Sequence, residues 1–179
     1  MIEIRDVNIP CYFYSSTVAD HEDIKVRFLD QLKNFPVYGI DEPDHQRLYN
    51  TDFFINNLRF NTKFNYNLVL PSFYKHNRAV KDLLQYTEPG DFKVLAMWYQ
   101  QYKKGDYHFW HNHPWSVFSN IYYVDLPAGV SRTSFRFLGQ EFEVEVQEGQ
   151  IITFPSFLEH CSKPNLSDNI KTVIAFNTN

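Results

Sequence analysis

The sequence predicts a mainly β protein with N-terminal helices and a jelly-roll core, and two patterns carry this prediction. After Gly90 the apolar residues alternate with polar ones in short runs separated by turn residues, as in an all-β sandwich or barrel. Before Gly90, two stretches repeat apolar residues at the spacing of amphipathic helices. Helices that cover one face of a mainly antiparallel double sheet give a jelly roll, or double-stranded β-helix.

The two helices are predicted at residues 20–34 and 72–86. Asp20 and Ser72 precede the apolar faces as candidate caps, and Pro89-Gly90 should end the second helix. Residues 36–71 between them show no clear period. The predicted faces consist of Ile24, Phe28 and Leu32 in the first helix and Phe73, Val80, Leu83 and Leu84 in the second.

The strands are predicted from period-two runs in the second half of the chain. Leu138-Gly139-Gln140 should turn a hairpin whose second arm points Phe142, Val144 and Val146 inward and its three glutamates outward. We therefore expect one domain over residues 1–179, with a helical or irregular layer in 1–89 and the jelly-roll core in 90–179. The predicted runs are 91–102, 107–113, 117–125, 132–138, 141–147, 149–154 and 170–177.

Composition excludes several classes of function. The net charge is −4 and no Lys/Arg block exceeds two residues, so we expect no nucleic-acid partner. Only Cys11 and Cys161 are present, without CxxC spacing, which predicts a reducing compartment and hence the cytoplasm. The start lacks the apolar core of a signal peptide, and no apolar run approaches the ~20 residues that cross a bilayer, so we expect no membrane partner.

The histidines give the strongest functional signal, because four of the seven lie in two short segments. His111 and His113 are separated by one residue, so a strand would point both to the same side. His160 follows another strand-like run. The pattern predicts that these three imidazoles bind one metal ion. We expect no functional role for His21, His45 and His76.

Several residues near these histidines have two readings. His108 lies three residues before His111, which places it on the opposite strand face unless a bulge intervenes, so a supporting or structural role is expected. Tyr122 and Tyr123 alternate, so only one of them can face the pocket. Trp110 and Trp115 flank the ligands and are candidates for a substrate groove, although core packing is the commoner use of tryptophan.

The histidine segments resemble those of iron(II)/2-oxoglutarate-dependent oxygenases of the prolyl hydroxylase type. Tyr102-x-x-Gly105-x-x-His108-x-x-His111-x-His113 is similar to their Tyr-x-x-Gly-x-x-Tyr-x-x-His-x-Asp motif. The segments 149–160 and 171–177 are similar to their distal-histidine segment and final strand. The HxHP sequence at 111–114 with Ser-Asn-Ile-Tyr-Tyr at 119–123 is similar to an oxygenase family common in phage and marine bacteria. The resemblance covers about residues 90–179 and is only loose before them.

This resemblance implies a dioxygenase that hydroxylates a small-molecule or peptide substrate and releases succinate and carbon dioxide. Its metal would be iron(II), held by His111, His113 and His160, and its cosubstrates would be 2-oxoglutarate and dioxygen. Lys171 would pair with the far carboxylate of 2-oxoglutarate. Tyr102 would hydrogen-bond the cosubstrate, and Asn177 would line the same strand face as Lys171.

Two positions depart from the pattern of these oxygenases. His113 stands where they have Asp or Glu, so the bound metal would carry one more net positive charge. Lys171 stands where they have an arginine, which keeps the charge but loses the two-pronged planar geometry.

Two other functions stay open. The spacing from Gly105 to His113 and from Gly149 to His160 also fits the two motifs of cupins, whose members include isomerases and dioxygenases that do not use 2-oxoglutarate. Against this, Val117 and Phe118 stand where cupins have a metal-binding glutamate. A non-catalytic jelly roll that binds a ligand or partner is the third reading.

Overall fold

The computed structural model describes residues 11–53, 64–85, 90 and 92–179. These residues form two antiparallel six-stranded sheets packed face to face, with helices against the outer face of one sheet. This confirms the predicted jelly-roll core, and neither sheet closes into a barrel. Within the described ranges, no helix is long and apolar enough to span a membrane.

The helices are α1 (His21–Lys33), a 3₁₀ turn (Tyr66–Leu68) and α2 (Leu70–Leu83). The strands are β1 (Tyr14–Thr17), β2 (Ile40–Glu42), β3 (Gln46–Leu48), β4 (Asn50–Thr51), β5 (Val94–Tyr102), β6 (Tyr107–His111), β7 (Phe118–Asp125), β8 (Thr133–Phe137), β9 (Gln140–Glu143), β10 (Gln150–Pro155), β11 (Glu159–Ser162) and β12 (Lys171–Thr178).

The two sheets differ in what covers them. The order β1-β10-β7-β12-β5-β4 forms the sheet that packs against the helices, and we call it the helix-covered sheet. The order β2-β3-β6-β11-β8-β9 forms the second sheet, which we call the open-faced sheet. One core cluster fills the space between helices and sheet, where Phe73 of α2 stacks on Phe176 at 4.1 Å between ring centroids. A second cluster lies between the sheets and includes Tyr123, Phe135 and Phe154.

Both predicted helices form, but their boundaries differ from the expected ones. Asp20 precedes α1, yet its side chain makes no capping hydrogen bond. The second helix begins at Leu70 rather than at Ser72, with a proline in its first turn, where the missing N–H costs nothing. Leu83 is 71% exposed, so its place on the predicted apolar face was wrong. Tyr86 and Pro89 lie outside the described residues.

The strands that the sequence did not predict are all short. The N-terminal part of the chain contributes β1 to β4, with two to four residues each, and so extends both sheets at their edges. The four-residue strand β11 was also missed. Runs of this length are too short to show a period of two. The predicted strand 107–113 in turn ends at His111, so His113 lies just beyond it.

The β8–β9 hairpin forms at the predicted turn, but strand β9 ends at Glu143 rather than at residue 147, and Phe142 is 38% exposed although it was predicted to point inward. Leu138 and Gly139 both have positive φ, 47° and 78°, as a two-residue primed turn requires. Phe142 then lies beside Phe135, at 5.8 Å between ring centroids, while Val144 is half-buried and Val146 is buried. The three glutamates at 141, 143 and 145 are exposed.

A buried histidine connects α2 to the helix-covered sheet. The two ring nitrogens of His76 lie 2.6 Å from Ser16 Oγ and 2.7 Å from Thr153 Oγ1. Burial lowers the pKa of His76 from 6.5 to about 4, because the cationic ring would lose its hydration. The neutral imidazole can donate to one hydroxyl and accept from the other, so the structure uses its uncharged form.

This arrangement predicts acid-sensitive stability. Between pH 6.5 and pH 4 the unfolded chain takes up a proton at His76 while the folded chain does not, so stability is present at neutral pH and falls with the pH. The contribution of His76 should fall by about 2 kcal/mol from pH 7 to pH 5. Urea unfolding at both pH values should show a smaller pH difference in His76→Gln than in the wild type. The exposed neighbour variant Lys75→Gln should keep the wild-type difference, and an equal difference in all three proteins would contradict the assignment.

Candidate metal centre

The three predicted ligands converge although they lie far apart in the sequence. His111 is the last residue of β6, and His160 on β11 is its direct partner in the antiparallel pairing. His113 follows two residues later, where its backbone N–H donates to the carbonyl of Ser156 at 3.0 Å. One nitrogen from each of the three rings lies within 4.8 Å of the others. The three imidazoles can therefore share one ion.

Backbone hydrogen bonds orient two of the rings. His111 Nδ1 donates to the carbonyl of Phe109 at 2.8 Å, and His160 Nδ1 donates to the carbonyl of Leu158 at 3.2 Å. A carbonyl only accepts, so each ring carries its proton on Nδ1 and keeps a lone pair on Nε2. Metal-binding histidines in proteins are usually fixed in this way.

Burial keeps these rings neutral. Burial lowers the pKa of His160 well below its ordinary value, and the neighbouring His111 and His113 lower it further. Burial also lowers the pKa of His111, and it lowers that of His113 to about 4. The ring of Phe154 contributes to the dry surroundings, with its centroid 5.0 Å from that of His160. At neutral pH no proton competes with a metal for these nitrogens.

The histidines line a narrow cavity between the two sheets, which opens to solvent. A lysine lies in its wall. Lys171 is 1% exposed, and its Nζ donates to the carbonyl of Ser131 at 3.0 Å and to Ser162 Oγ at 2.5 Å. Among the described residues, no carboxylate pairs with this amine. Burial lowers the pKa of Lys171 to about 7.

The Lys171 amine is therefore a buried cation with spare capacity. An ammonium has three N–H donors, and the two hydrogen bonds leave one of them unused. A buried charge without a counter-ion is unfavourable. An anionic ligand in the cavity would supply both the acceptor and the opposite charge.

Tyr102 packs beneath this amine. Lys171 Nζ lies 4.3 Å from the centroid of the Tyr102 ring, and the two residues are partners in the β5–β12 pairing. The Tyr102 hydroxyl already donates to Gln100 Oε1 at 2.9 Å. Its contact with a cosubstrate stays a prediction. Asn177 lines the same cavity, on the same face of β12 as Lys171.

The placement of His108 differs from the expected one. His160 pairs with His111 while Ser162 pairs with His108, so two steps on β11 match three on β6 and a bulge lies between them. This bulge turns His108 into the cavity, where its ring stacks on His111 at 3.8 Å between centroids. Burial lowers the pKa of His108 well below its ordinary value. His108 therefore supports the ligand His111 from within the cavity.

No protein-family model matches the sequence, and no curated protein matches it. Solved structures match the fold throughout its length. A prolyl-4-hydroxylase from Pseudomonas putida is similar with a TM-score of 0.65 and 11% identity, over 93% of this chain and 91% of that one. The viral collagen prolyl hydroxylase of Paramecium Bursaria Chlorella virus-1, a 2-oxoglutarate complex, is similar with a TM-score of 0.62 and 13% identity, over 93% and 95%.

A third structure, an oxidoreductase of the 2OG-Fe(II) oxygenase family from Burkholderia pseudomallei, is similar with a TM-score of 0.65 and 12% identity, over 86% of this chain and 77% of that one. The fold is that of the prolyl hydroxylase-like oxygenases. At these identities the likeness concerns the fold alone.

The interior of this oxygenase fold also differs from the prediction in its aromatic residues. Neither tyrosine of the β7 pair lines the cavity. The Tyr122 hydroxyl lies 2.8 Å from His21 Nδ1, and Tyr123 donates to Thr133 Oγ1 at 2.9 Å. Trp115 is 85% exposed, and Trp110 lies under the guanidinium of Arg136 at 4.7 Å.

Sequence reasoning missed two residues of the cavity wall on β5. Trp98 and Gln100 line the cavity together with Tyr102. The sequence contained a signal for both residues. Gln100 and Trp98 lie two and four positions before Tyr102 on one strand, so their side chains share its face. Ser162, which contacts Lys171, was missed because β11 itself was not predicted.

The described residues hold one other cluster of metal-ligating groups, formed by His21, Glu22 and Glu148. Lys25 already occupies it. Its Nζ lies 2.7 Å from Glu148 and 2.8 Å from Asp125, so an ammonium neutralises these carboxylates. This cluster is therefore an ion-pair network that attaches α1 to the helix-covered sheet.

The geometry predicts that metal binding depends on His160. In His160→Ala the affinity for iron(II) should fall by more than the roughly 100-fold that loss of an outer-sphere partner can cost. Iron(II) at about 100 times its Kd should stabilise the wild type by about 2.7 kcal/mol and leave this variant unchanged. Anaerobic thermal unfolding with and without metal measures both. The control His45→Ala, which removes an exposed histidine, should behave like the wild type, and iron stabilisation of His160→Ala would contradict the site.

Proposed function

We propose that this protein is an iron(II)- and 2-oxoglutarate-dependent dioxygenase that hydroxylates a C–H bond of its substrate. In the overall reaction, substrate, dioxygen and 2-oxoglutarate give hydroxylated substrate, succinate and carbon dioxide. The observation that carries this proposal is the buried Lys171 amine, without a counter-ion among the described residues, in the same cavity as three convergent imidazoles. One dicarboxylate could engage both features.

The donor set fits iron(II). Imidazole nitrogens suit zinc, copper, iron and nickel, and three protein ligands leave positions free for small molecules. His111 and His160 present oriented lone pairs, and all three rings are neutral at pH 7. When bound, iron(II) would supply the oxidative decarboxylation of 2-oxoglutarate by dioxygen. The protein residues supply position, charge and exclusion of water.

The distance from the histidines to Lys171 suits a five-carbon diacid. Ser162, which lies 2.5 Å from Lys171 Nζ, is two residues from His160 on β11. That separation is roughly 7 Å at the rise of a β-strand. In this arrangement 2-oxoglutarate extends from the histidines toward Lys171, whose unused N–H donates to its far carboxylate. Ser162 and Ser131 fix the direction of the amine.

The charges of the site also suit a dianion. With three neutral imidazoles, a divalent metal keeps both of its positive charges, and the protonated Lys171 adds a third. When a dianion binds, one positive charge therefore remains uncompensated. If an aspartate replaced His113, its negative charge would bring the total to zero. His113 should therefore make the site more attractive to anions than a two-histidine, one-carboxylate site would be.

A cupin-like metalloprotein is the alternative that the histidines alone would permit. Among the described residues, no carboxylate joins the three-histidine cluster, and Val117 and Phe118 occupy the place of the cupin glutamate. Lys171 distinguishes the two proposals, since a 2-oxoglutarate-independent reaction gives this amine no partner. Binding of iron without binding of 2-oxoglutarate would favour the cupin-like reading.

Lys171 provides the first test. Anaerobic addition of 2-oxoglutarate to the iron(II) protein should produce a visible charge-transfer band, and air should then release succinate without added substrate. Lys171→Met should raise the 2-oxoglutarate concentration at half-saturation roughly 10- to 150-fold, the value of a charge-assisted hydrogen bond. Lys171→Arg keeps the charge and should recover part of the affinity. Equal affinities for 2-oxoglutarate in Lys171→Met and the wild type would contradict the role proposed for Lys171.

The pH dependence of cosubstrate binding provides the second test. The pKa of Lys171 is about 7 in the free protein, and a bound carboxylate must raise it because it favours the ammonium. Above pH 7, binding then takes up a proton, and affinity should fall by up to about tenfold per pH unit. The titratable groups around Lys171 are His108, Tyr102 and Cys161, and burial raises the pKa of both Tyr102 and Cys161, which stay neutral at pH 7.

Calorimetric titrations of the wild type from pH 7 to pH 9 should show this decline. Lys171→Arg, whose guanidinium stays charged throughout, should give a nearly flat profile. A flat profile in the wild type would mean that Lys171 is already charged in the free protein or does not bind the cosubstrate.

A further inference from the structure

The cavity has a second polar end that the proposed cosubstrate does not reach. Strand β12 directs Lys171, Val173, Ala175 and Asn177 into the cavity. At the rise of about 3.3 Å per residue, the first and last of these are roughly 20 Å apart along the strand. A five-carbon diacid whose far carboxylate pairs with Lys171 therefore does not extend to Asn177. The end of the cavity around Asn177 is free for the substrate.

Trp98 stands at this end beside the metal ligands. It is the partner of Ala175 in the β5–β12 pairing, and its ring centroid lies 5.8 Å from that of His113. The residue is 5% exposed, and its Nε1–H has no hydrogen-bond acceptor among the described residues. A buried donor without a partner is unfavourable, and native proteins seldom leave one. An acceptor on a ligand in the cavity would remove this deficit.

Asn177 offers the complementary groups. Its carboxamide makes no hydrogen bond to any described residue, although the side chain is only 7% exposed. A carboxamide carries both an acceptor oxygen and donor N–H groups. Among the described residues that line the cavity, Lys171 at the far end is the one with a formal charge. The Trp98 end therefore offers polarity without charge.

We infer that Trp98 and Asn177 recognise a neutral amide group of the substrate next to the C–H bond that is hydroxylated. The indole N–H donates to the amide oxygen, and the Asn177 oxygen accepts from the amide N–H. A carboxylate in the same place would offer no N–H to the Asn177 oxygen, and an ammonium would offer no acceptor to the indole N–H. The inference rests on the proposed function, because it assigns the substrate to the space that the metal and 2-oxoglutarate leave free.

The indole N–H signals of the protein give a direct test. The chain has three tryptophans, so ¹⁵N-tryptophan labelling gives three Nε1–H resonances in the protein loaded with diamagnetic zinc(II) and then with 2-oxoglutarate. N-acetylglycinamide serves as the neutral amide probe. The Trp98 signal should move downfield and saturate with added probe, while the other two stay in place. Trp98→Phe identifies the signal by its loss.

Two sets of controls separate recognition from general effects. Trp115→Phe removes the most exposed indole and should leave the response of Trp98 intact. Two probes without an amide, neutral methyl acetate and cationic propylammonium, should bind at least about tenfold more weakly than the amide probe, because the first lacks the N–H and the second lacks the acceptor. Asn177→Asp places a carboxylate in the cavity and should strengthen the binding of propylammonium.

The outcomes distinguish this inference from the proposed function. If 2-oxoglutarate alone shifts the Trp98 signal and the amide adds nothing, Trp98 serves the cosubstrate and the inference is wrong. Equal binding of methyl acetate and the amide probe would also overturn it. If 2-oxoglutarate does not bind the zinc protein, the proposed function fails instead, and the amide titration of that protein still decides whether Trp98 and Asn177 recognise a neutral amide.

Discussion

The candidate site depends on one strand pairing, that of β6 with β11. Antiparallel register places His160 directly opposite His111, and the bulge in the same pairing turns His108 onto the back of His111. His113 then needs only the two-residue extension beyond β6, held by its hydrogen bond to Ser156. A slip of one residue would send His160 to the outer face of the sheet. The proposed metal binding therefore depends on this strand register.

The interior around this pairing is poor in charge, and that determines its chemistry. Burial keeps the three ligand rings neutral and makes Lys171 lose its proton near neutral pH. Both effects disfavour a proton in the site, so the proposed metal would meet unprotonated imidazoles, and the proposed carboxylate would favour the ammonium form of Lys171. The site therefore suits the proposed pair of a cation and an anion. Ser131 and Ser162 orient the amine but carry no charge to replace the missing anion.

The sequence predicted what depends on local pattern. Period-two runs, the hairpin at Leu138-Gly139 and the alignment of His111 with His113 all follow from neighbours in the chain, and the jelly-roll core followed from them. It did not predict β11, because four residues are too few to show a period. It could not show the bulge that turns His108 into the cavity, because a bulge depends on the partner strand. The parity of β5 could have placed Trp98 beside Tyr102, but the unpaired indole N–H is visible only when its surroundings are known.

The two sheets contribute different groups to the cavity. The open-faced sheet supplies His111 and His160, whereas the helix-covered sheet supplies Lys171, Trp98 and Asn177 from β12 and β5. Stacked sheets lie about 10 Å apart, which leaves room for small molecules between facing side chains where these are as small as Ala175. The helices bury the outer face of the helix-covered sheet. The groups proposed to bind organic ligands thus lie on the sheet that the helices cover, and the proposed metal ligands His111 and His160 lie on the other sheet.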